Sequence, residues 1–304
     1  MRRSLAAITS ELQRLKAEGI RTVSISDESV ALLRRALAKS IPPAVTTPPA
    51  PSAAAPLTAA PVKPTPAQDV PAAAPKVASN LPPAPVVKLP DGDKAARWSA
   101  LRELVLADAT CRANVRSGSQ VVFGVGNLDA RIMFIGDAPG AEEEEQGEPF
   151  VGPAGQLLTK MIAGMGLARS DVYIGNLMNW RPQMPGAAGG VQYGNRPPTA
   201  AEMAYCQPYL TAQIEVVAPE LIVALGKTAA EGLLGPGTFR TLGEVRGQWH
   251  TFAGRPLMVT YHPSYVLRTP TNQNKRLIWE DLLKVMEKTG LAISDRQRGY
   301  FLGK

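Results

Sequence analysis

Three polar side chains follow apolar runs of the sequence at points where chemistry could be done. Asp137, Asn176 and His262 each come at or just after the end of a run typical of a buried strand. A carboxylate and an imidazole can hold or donate protons, and an amide both donates and accepts hydrogen bonds. One aromatic residue, Phe150, lies among turn formers after the first run. These residues are candidates for one site.

The elements that carry these residues alternate between strand and helix. Strands are predicted at 132–135, 172–175, 221–225 and 257–261, and helices at 94–106, 154–165, 199–217, 227–234 and 274–288. Such alternation is typical of a parallel sheet covered on both faces. Since the carboxyl ends of parallel strands share one edge, the three polar residues are expected to meet in one crevice.

Composition limits the kind of protein. The chain has 304 residues, a formal net charge of +7 and two cysteines. The positive charge favours a polyanionic partner. Two cysteines argue against a disulfide scaffold and suit a reducing cytoplasm. No segment is typical of a signal peptide or a membrane span, so a cytoplasmic protein without a membrane partner is expected.

Three regions are predicted along the chain. Residues 1–40 carry two helical patterns, which indicate either a small helical docking module with an unknown protein partner or a marginally ordered extension. Residues 41–90 contain 15 Pro and 13 Ala and are typical of a disordered linker. Residues 91–304 form the globular domain, which we expect to be monomeric.

Five motifs of the globular domain resemble the uracil-DNA glycosylase superfamily, especially its type-4 group from bacteria and archaea. They are GDAPG at 136–140, GEPFVGPAGQLL at 147–158, Asn176 ahead of WRP at 180–182, NRP at 195–197 and HPSYVLR at 262–268. The resemblance implies a three-layer α/β/α sandwich around a short four-stranded parallel sheet. It also implies an enzyme that hydrolyses the bond between uracil and deoxyribose in DNA.

The resemblance assigns catalytic roles to two residues. His262 is expected to face the oxygen of the departing uracil, and Asp137 to position or polarise the attacking water. The family usually has Glu where this chain has Asp137, so the carboxylate here is one methylene shorter.

Other residues are expected to hold the substrate. Phe150 resembles the aromatic that stacks on the flipped uracil, Asn176 the amide that reads its pairing edge, and the backbone N–H groups of Ala138 and Gly140 are further base contacts. DNA contacts are expected from Arg181, Arg196, Ser264, Tyr265 and Arg268. Tyr265 and Leu267 lie in the loop that related enzymes insert into the duplex, although plain packing is equally compatible. Lys227 and Arg246 are better explained as surface charges.

The chain departs from the type-4 pattern at the four cysteines that hold a 4Fe-4S cluster. Cys111 and Cys206 match two of them; Trp180 occupies the third position, and either Asn114 or Asp108 the remaining one. We therefore expect no cofactor. The alternative function is a DNA-binding accessory protein that kept the fold and lost efficient catalysis.

Overall fold

The computed structural model describes residues 81–184, 192 and 194–302. The segment predicted at 1–40 and the first forty residues of the predicted linker lie outside these ranges. Residues 81–90 have no regular secondary structure beyond a bend at Leu81, yet Leu81, Val87 and Leu89 pack against buried residues of the domain. The domain therefore includes the last ten residues that composition assigned to the linker.

One six-stranded sheet forms the centre of the domain. Its strands are β1 (Val125–Gly126), β2 (Ile132–Gly136), β3 (Tyr173–Asn176), β4 (Leu221–Leu225), β5 (Trp249–Phe252) and β6 (Arg255–Thr260), in the spatial order β1-β3-β2-β4-β6-β5. The four central strands are parallel, and β1 and β5 pair antiparallel at the two edges. The four predicted strands are the four parallel ones; the two edge strands were not predicted.

Nine α-helices occur in the described ranges. They are α1 (Lys94–Ala107), α2 (Ala109–Ala113), α3 (Ala141–Gln146), α4 (Pro153–Gly164), α5 (Ala200–Val217), α6 (Lys227–Leu234), α7 (Pro263–Arg268), α8 (Asn272–Lys288) and α9 (Asp295–Arg298). Helix α4 begins with Pro153, which has no N–H to leave unpaired, and α5 begins after Thr199, whose side chain accepts the Glu202 N–H. These local signals explain why both helices begin close to where the sequence predicts.

Helices cover both faces of the sheet, which gives three layers. Alternate residues of β2 point to opposite faces: Phe134 packs with α4 and α8 on one side, and Met133 packs with α5 and α6 on the other. Strands β4 and β6 divide in the same way. The central strands are apolar throughout because both of their faces are buried. The predicted α/β/α architecture is confirmed.

A third cluster lies between α1, α2 and the N-terminal half of α5. Its largest member is Trp180, which is 1% exposed and meets Tyr205 edge to face at 6.0 Å between ring centroids. None of the helices in the described ranges is both long and apolar enough to cross a lipid bilayer.

Candidate active site

The carboxyl ends of the parallel strands line a cleft of about 420 Å³. Asp137 follows β2, Asn176 ends β3, Gly226 follows β4 and His262 lies two residues beyond β6. The cleft also includes Ala138, Gly140, Phe150, Arg196, Ser264 and Arg268. Its size suits a small heterocyclic ligand. The structure thus brings together all the predicted site residues except Arg181, Tyr265 and the two cysteines.

Gly136, at the end of β2, lies tightly between Asn176 and Phe150. A Cβ at this position would lie 2.4 Å from Asn176 Oδ1 and 2.6 Å from Phe150 Cζ, so only glycine fits. Asn176 is 7% exposed, and its Oδ1 has no hydrogen-bond partner within the described part of the chain. A buried acceptor without a partner is costly, and a ligand N–H at this position would satisfy it.

Phe150 forms one wall of the cleft from an unusual backbone conformation. Its φ of +55° lies in the left-handed region, which non-glycine residues seldom adopt. The ring is 6% exposed and is stacked on His262 with 5.6 Å between centroids and 30° between planes. The aromatic face and the Asn176 amide therefore converge at Gly136.

Glu143 ties the two loops of the cleft together. Its Oε2 accepts the Gly140 N–H at 3.1 Å, and its Oε1 accepts the N–H groups of Val151 and Gly152 at 3.1 and 2.9 Å. The Gly140 N–H, for which a contact with the base was predicted, is thus bonded to Glu143 in this structure, and the base contact stays a prediction. Glu143 was not among the residues assigned to the site from the sequence; its spacing of three from Gly140 was the signal available.

The imidazole of His262 is held from its Nδ1 side. The Ser264 N–H donates to Nδ1 at 3.1 Å, and Ser264 Oγ lies 2.8 Å from the same atom. Nδ1 is thus an acceptor, so the neutral ring carries its proton on Nε2. Nε2 faces Asp137 Oδ1 across 3.9 Å, beyond hydrogen-bond distance. Burial lowers the pKa of His262 from its ordinary value of 6.5, which favours the neutral ring near pH 7.

Two predicted DNA contacts are placed elsewhere. Arg181 is 4% exposed, and its guanidinium donates to Glu144 Oε1 at 2.9 Å, Asn195 Oδ1 at 2.8 Å and the Gly194 carbonyl at 2.7 Å. Since Glu144 also pairs with Arg116, Arg181 belongs to a buried ionic network and does not face solvent. Tyr265 lies outside the cleft and is stacked on Tyr261 at 4.5 Å.

The remaining cations differ in how free they are. Arg196 lines the cleft, but its Nη1 and Nη2 donate to the Glu202 carboxylate oxygens at 2.8 and 2.6 Å. Lys227 also lines the cleft, with half of its side chain exposed, and pairs with Glu231 at 3.4 Å. Arg268 is exposed beside Leu267, which is 46% exposed. Arg246 pairs with the buried Asp281, so it is structural.

Comparison of the sequence with known proteins identifies the family that has this site. Residues 123–283 match the model of the uracil DNA glycosylase superfamily. A type-4 uracil-DNA glycosylase of Thermotoga maritima is 43% identical over 169 residues, which are 55% of this chain and 81% of that protein. One of Archaeoglobus fulgidus is 39% identical over 181 residues, 58% and 85% of the two chains. A type-5 uracil-DNA glycosylase of Pyrobaculum aerophilum is 32% identical over 179 residues, which are 54% of this chain and 72% of that protein.

The chain belongs to the uracil-DNA glycosylase superfamily. The predicted resemblance to the type-4 group is confirmed by relatives of that name that are 36–43% identical.

This kinship corrects the prediction that the protein has no cofactor, because the type-4 group is the one that carries an iron–sulfur cluster. Cys111 and Cys206 are buried neighbours, and a hydrogen bond with the Cys206 thiol, together with burial, raises the pKa of the Cys111 thiol. In the described ranges no three side chains of metal-ligand type come together. Asp108, close to Cys111, accepts from the hydroxyls of Tyr205 and Tyr209, each at 2.9 Å. The described residues therefore supply two of the four thiolates that such a cluster requires.

Proposed function

We propose that the protein removes uracil from DNA by hydrolysing the bond between the base and deoxyribose, as the names of its relatives state for those proteins. The observation that carries the proposal for this cleft is the buried, unpartnered Oδ1 of Asn176 beside the Phe150 ring. An amide fixed at this point complements a pyrimidine that presents an N–H next to a carbonyl. Thymine and uracil share that edge, and cytosine does not.

Base recognition requires the nucleotide to leave the helical stack and enter the cleft. The uracil ring would stack on Phe150, its N3–H would donate to Asn176 Oδ1, and its O4 would accept from Asn176 Nδ2. This arrangement satisfies the acceptor that the free protein leaves unpaired. Ala138 lines the same cleft and supports a backbone contact to the base.

Cleavage of the N-glycosidic bond leaves an electron pair on the base and positive charge on the sugar. His262 is suited to stabilise the negative charge on the base, because a neutral ring with its proton on Nε2 donates a hydrogen bond to the developing charge on uracil O2. Asp137 is suited to stabilise the positive charge on the sugar through its carboxylate. The same carboxylate accepts a proton from the water that adds to C1′. Because 3.9 Å between Nε2 and Asp137 Oδ1 exceeds hydrogen-bond distance, the Nε2–H is not donated to Asp137 and is available to uracil O2.

DNA contacts are best supplied by the exposed cations at the rim of the cleft, Lys227 and Arg268, with Leu267 as the apolar side chain next to the latter. Contacts of these cations with phosphate would make affinity salt-dependent. A monomeric state, a cytoplasmic location and a protein partner for residues 1–40 stay predictions.

The test uses the full chain with single-stranded and duplex oligonucleotides that contain one uracil. Uracil release is followed by alkaline cleavage at the abasic site, with a cytosine oligonucleotide of the same sequence as control, since cytosine lacks the edge that Asn176 complements. We expect strand scission only at uracil and a loss of at least about 100-fold in His262→Ala. Binding without scission by the wild-type protein would overturn the proposal and favour the accessory-protein alternative.

A further inference from the structure

A chain of hydrogen bonds connects the surface of the protein to the back of the His262 ring. Arg268 Nη1 donates to Ser264 Oγ at 3.2 Å, and Ser264 Oγ lies 2.8 Å from His262 Nδ1. Ser264 and Arg268 are four residues apart on α7, and His262 precedes its first residue, so one short helix carries all three groups. The guanidinium lies on the exposed side and the imidazole lines the cleft.

The direction of each hydrogen bond follows from what each group can do. A guanidinium only donates, so Ser264 Oγ accepts from Arg268 and keeps its own proton to donate to His262 Nδ1. The Ser264 N–H already donates to the same nitrogen. A proton on Nδ1 would face the Ser264 N–H and break that interaction, and Ser264 Oγ would have to change from donor to acceptor while it still accepts from Arg268. The Arg268 contact therefore strengthens the tautomer in which Nε2 carries the proton.

We propose that Arg268 is a positioning residue for His262, which acts through Ser264 Oγ to keep the ring neutral with its proton on Nε2, in addition to any contact with DNA phosphate. The inference rests on the proposed function only for its effect on the rate of uracil release. Its effect on the ring itself is independent of that function.

The charges around the ring agree with this role. The acidic groups that line the cleft are Asp137 and Glu143. The cations are Arg268, Lys227 and Arg196, of which Lys227 pairs with Glu231 and Arg196 with Glu202. Burial lowers the pKa of His262, the Asp137 carboxylate opposes that effect, and the Arg268 cation lowers the pKa further. Removal of the cation is therefore expected to raise the pKa of the ring.

The experiment reads the ring directly. The protein has only two histidines, so a His250→Gln background leaves a single imidazole for nitrogen-15 NMR. Arg268→Ala, Ser264→Ala and the double variant are compared with Arg298→Ala, which removes an exposed arginine paired with Glu287 outside the cleft. The pKa and tautomer of the His262 ring are measured without DNA. The single-turnover rate of uracil release is measured with a saturating concentration of uracil-containing single-stranded DNA.

Arg268→Ala is expected to raise the pKa of His262, to lower the fraction of the Nε2–H tautomer and to slow saturated turnover about threefold to tenfold, the range of one hydrogen bond. Ser264→Ala should slow turnover too, and the double variant little further, because the two act in one chain. Arg298→Ala should change none of these quantities.

An Arg268→Ala protein with unchanged ring pKa, tautomer and saturated rate, but weaker and less salt-dependent DNA binding, would overturn the inference and leave Arg268 as a phosphate contact alone. Multiplicative effects of the two single substitutions would overturn it as well. If the wild-type protein releases no uracil, the proposed function fails, while the NMR comparison still decides the inference.

Discussion

Replacement of Asn176 by leucine should separate activity from stability. The side chains are similar in size, and both Asn176 and the candidate control Asn179 are buried, at 7% and 3% exposure. They differ in one respect. Asn179 Nδ2 donates to the Val122 carbonyl at 3.0 Å, whereas Asn176 Oδ1 has no partner within the described residues.

The magnitudes follow from that difference. Two hydrogen bonds to uracil, each about 1–3 kcal/mol when one partner is left unsatisfied, give a loss of kcat/KM of about 30-fold to 10⁴-fold in Asn176→Leu. In the free protein the same substitution removes a buried unpaired acceptor, which favours folding by up to about 1–3 kcal/mol. For a domain of this size the melting temperature rises by about 2–4 °C per kcal/mol. Asn179→Leu should instead lower it, since the Val122 carbonyl loses its donor.

Single-turnover uracil release and thermal denaturation of both variants provide the assay. The base-reading assignment is supported if Asn176→Leu loses activity without loss of stability and Asn179→Leu shows the opposite pattern. An Asn176→Leu protein that melts as early as Asn179→Leu would mean that the amide is structural. Retention of wild-type kcat/KM would refute the recognition scheme outright.

Three further predictions address the other residues of the site. Because burial lowers the pKa of His262 below 6.5 and the neutral ring is the active form, kcat/KM should stay level from pH 8 to 6.5 and fall only at lower pH, when the ring becomes protonated; a pH series of initial rates checks this. Asp137→Asn should slow single-turnover release by about 10²-fold, and Asp137→Glu should keep most of the rate because it keeps the carboxylate. Arg181→Met should lower the melting temperature, because Glu144 is left with Arg116 alone, yet the salt dependence of DNA binding, measured by titration at several salt concentrations, should not change.

The sequence predicted the centre of the fold well because its signals are strong there. Four apolar runs correspond to the four parallel strands. Because such strands share a carboxyl edge, the sequence alone predicted that Asp137, Asn176 and His262 lie together. Edge strands β1 and β5 were not predicted because they have only two and four residues, and those residues are half-buried or exposed. A short strand with one open side carries no clear alternation or apolar run.

Side-chain partnerships were the part that the sequence could not supply. Arg181 and Arg268 are the same residue type in motifs of the same family, yet one is buried against Glu144 and the other is exposed. The difference depends on which carboxylate the fold brings near, over 37 positions in the first case. Likewise, the Gly140 N–H was predicted to contact the base, whereas in the structure Glu143 Oε2 accepts it at 3.1 Å.

The backbone of Phe150 has a consequence for the thermodynamics of binding. Its left-handed conformation occurs in a closely packed segment, because the Phe150 carbonyl oxygen would lie 1.8 Å from a Cβ at Gly155. The cost of that conformation, about 1–3 kcal/mol, falls on folding and is absent from the binding step. The Phe150 ring is thus preorganised, and it loses little conformational entropy when a flipped base stacks on it. Affinity for the free base should accordingly depend more on enthalpy and desolvation than on ordering of the protein.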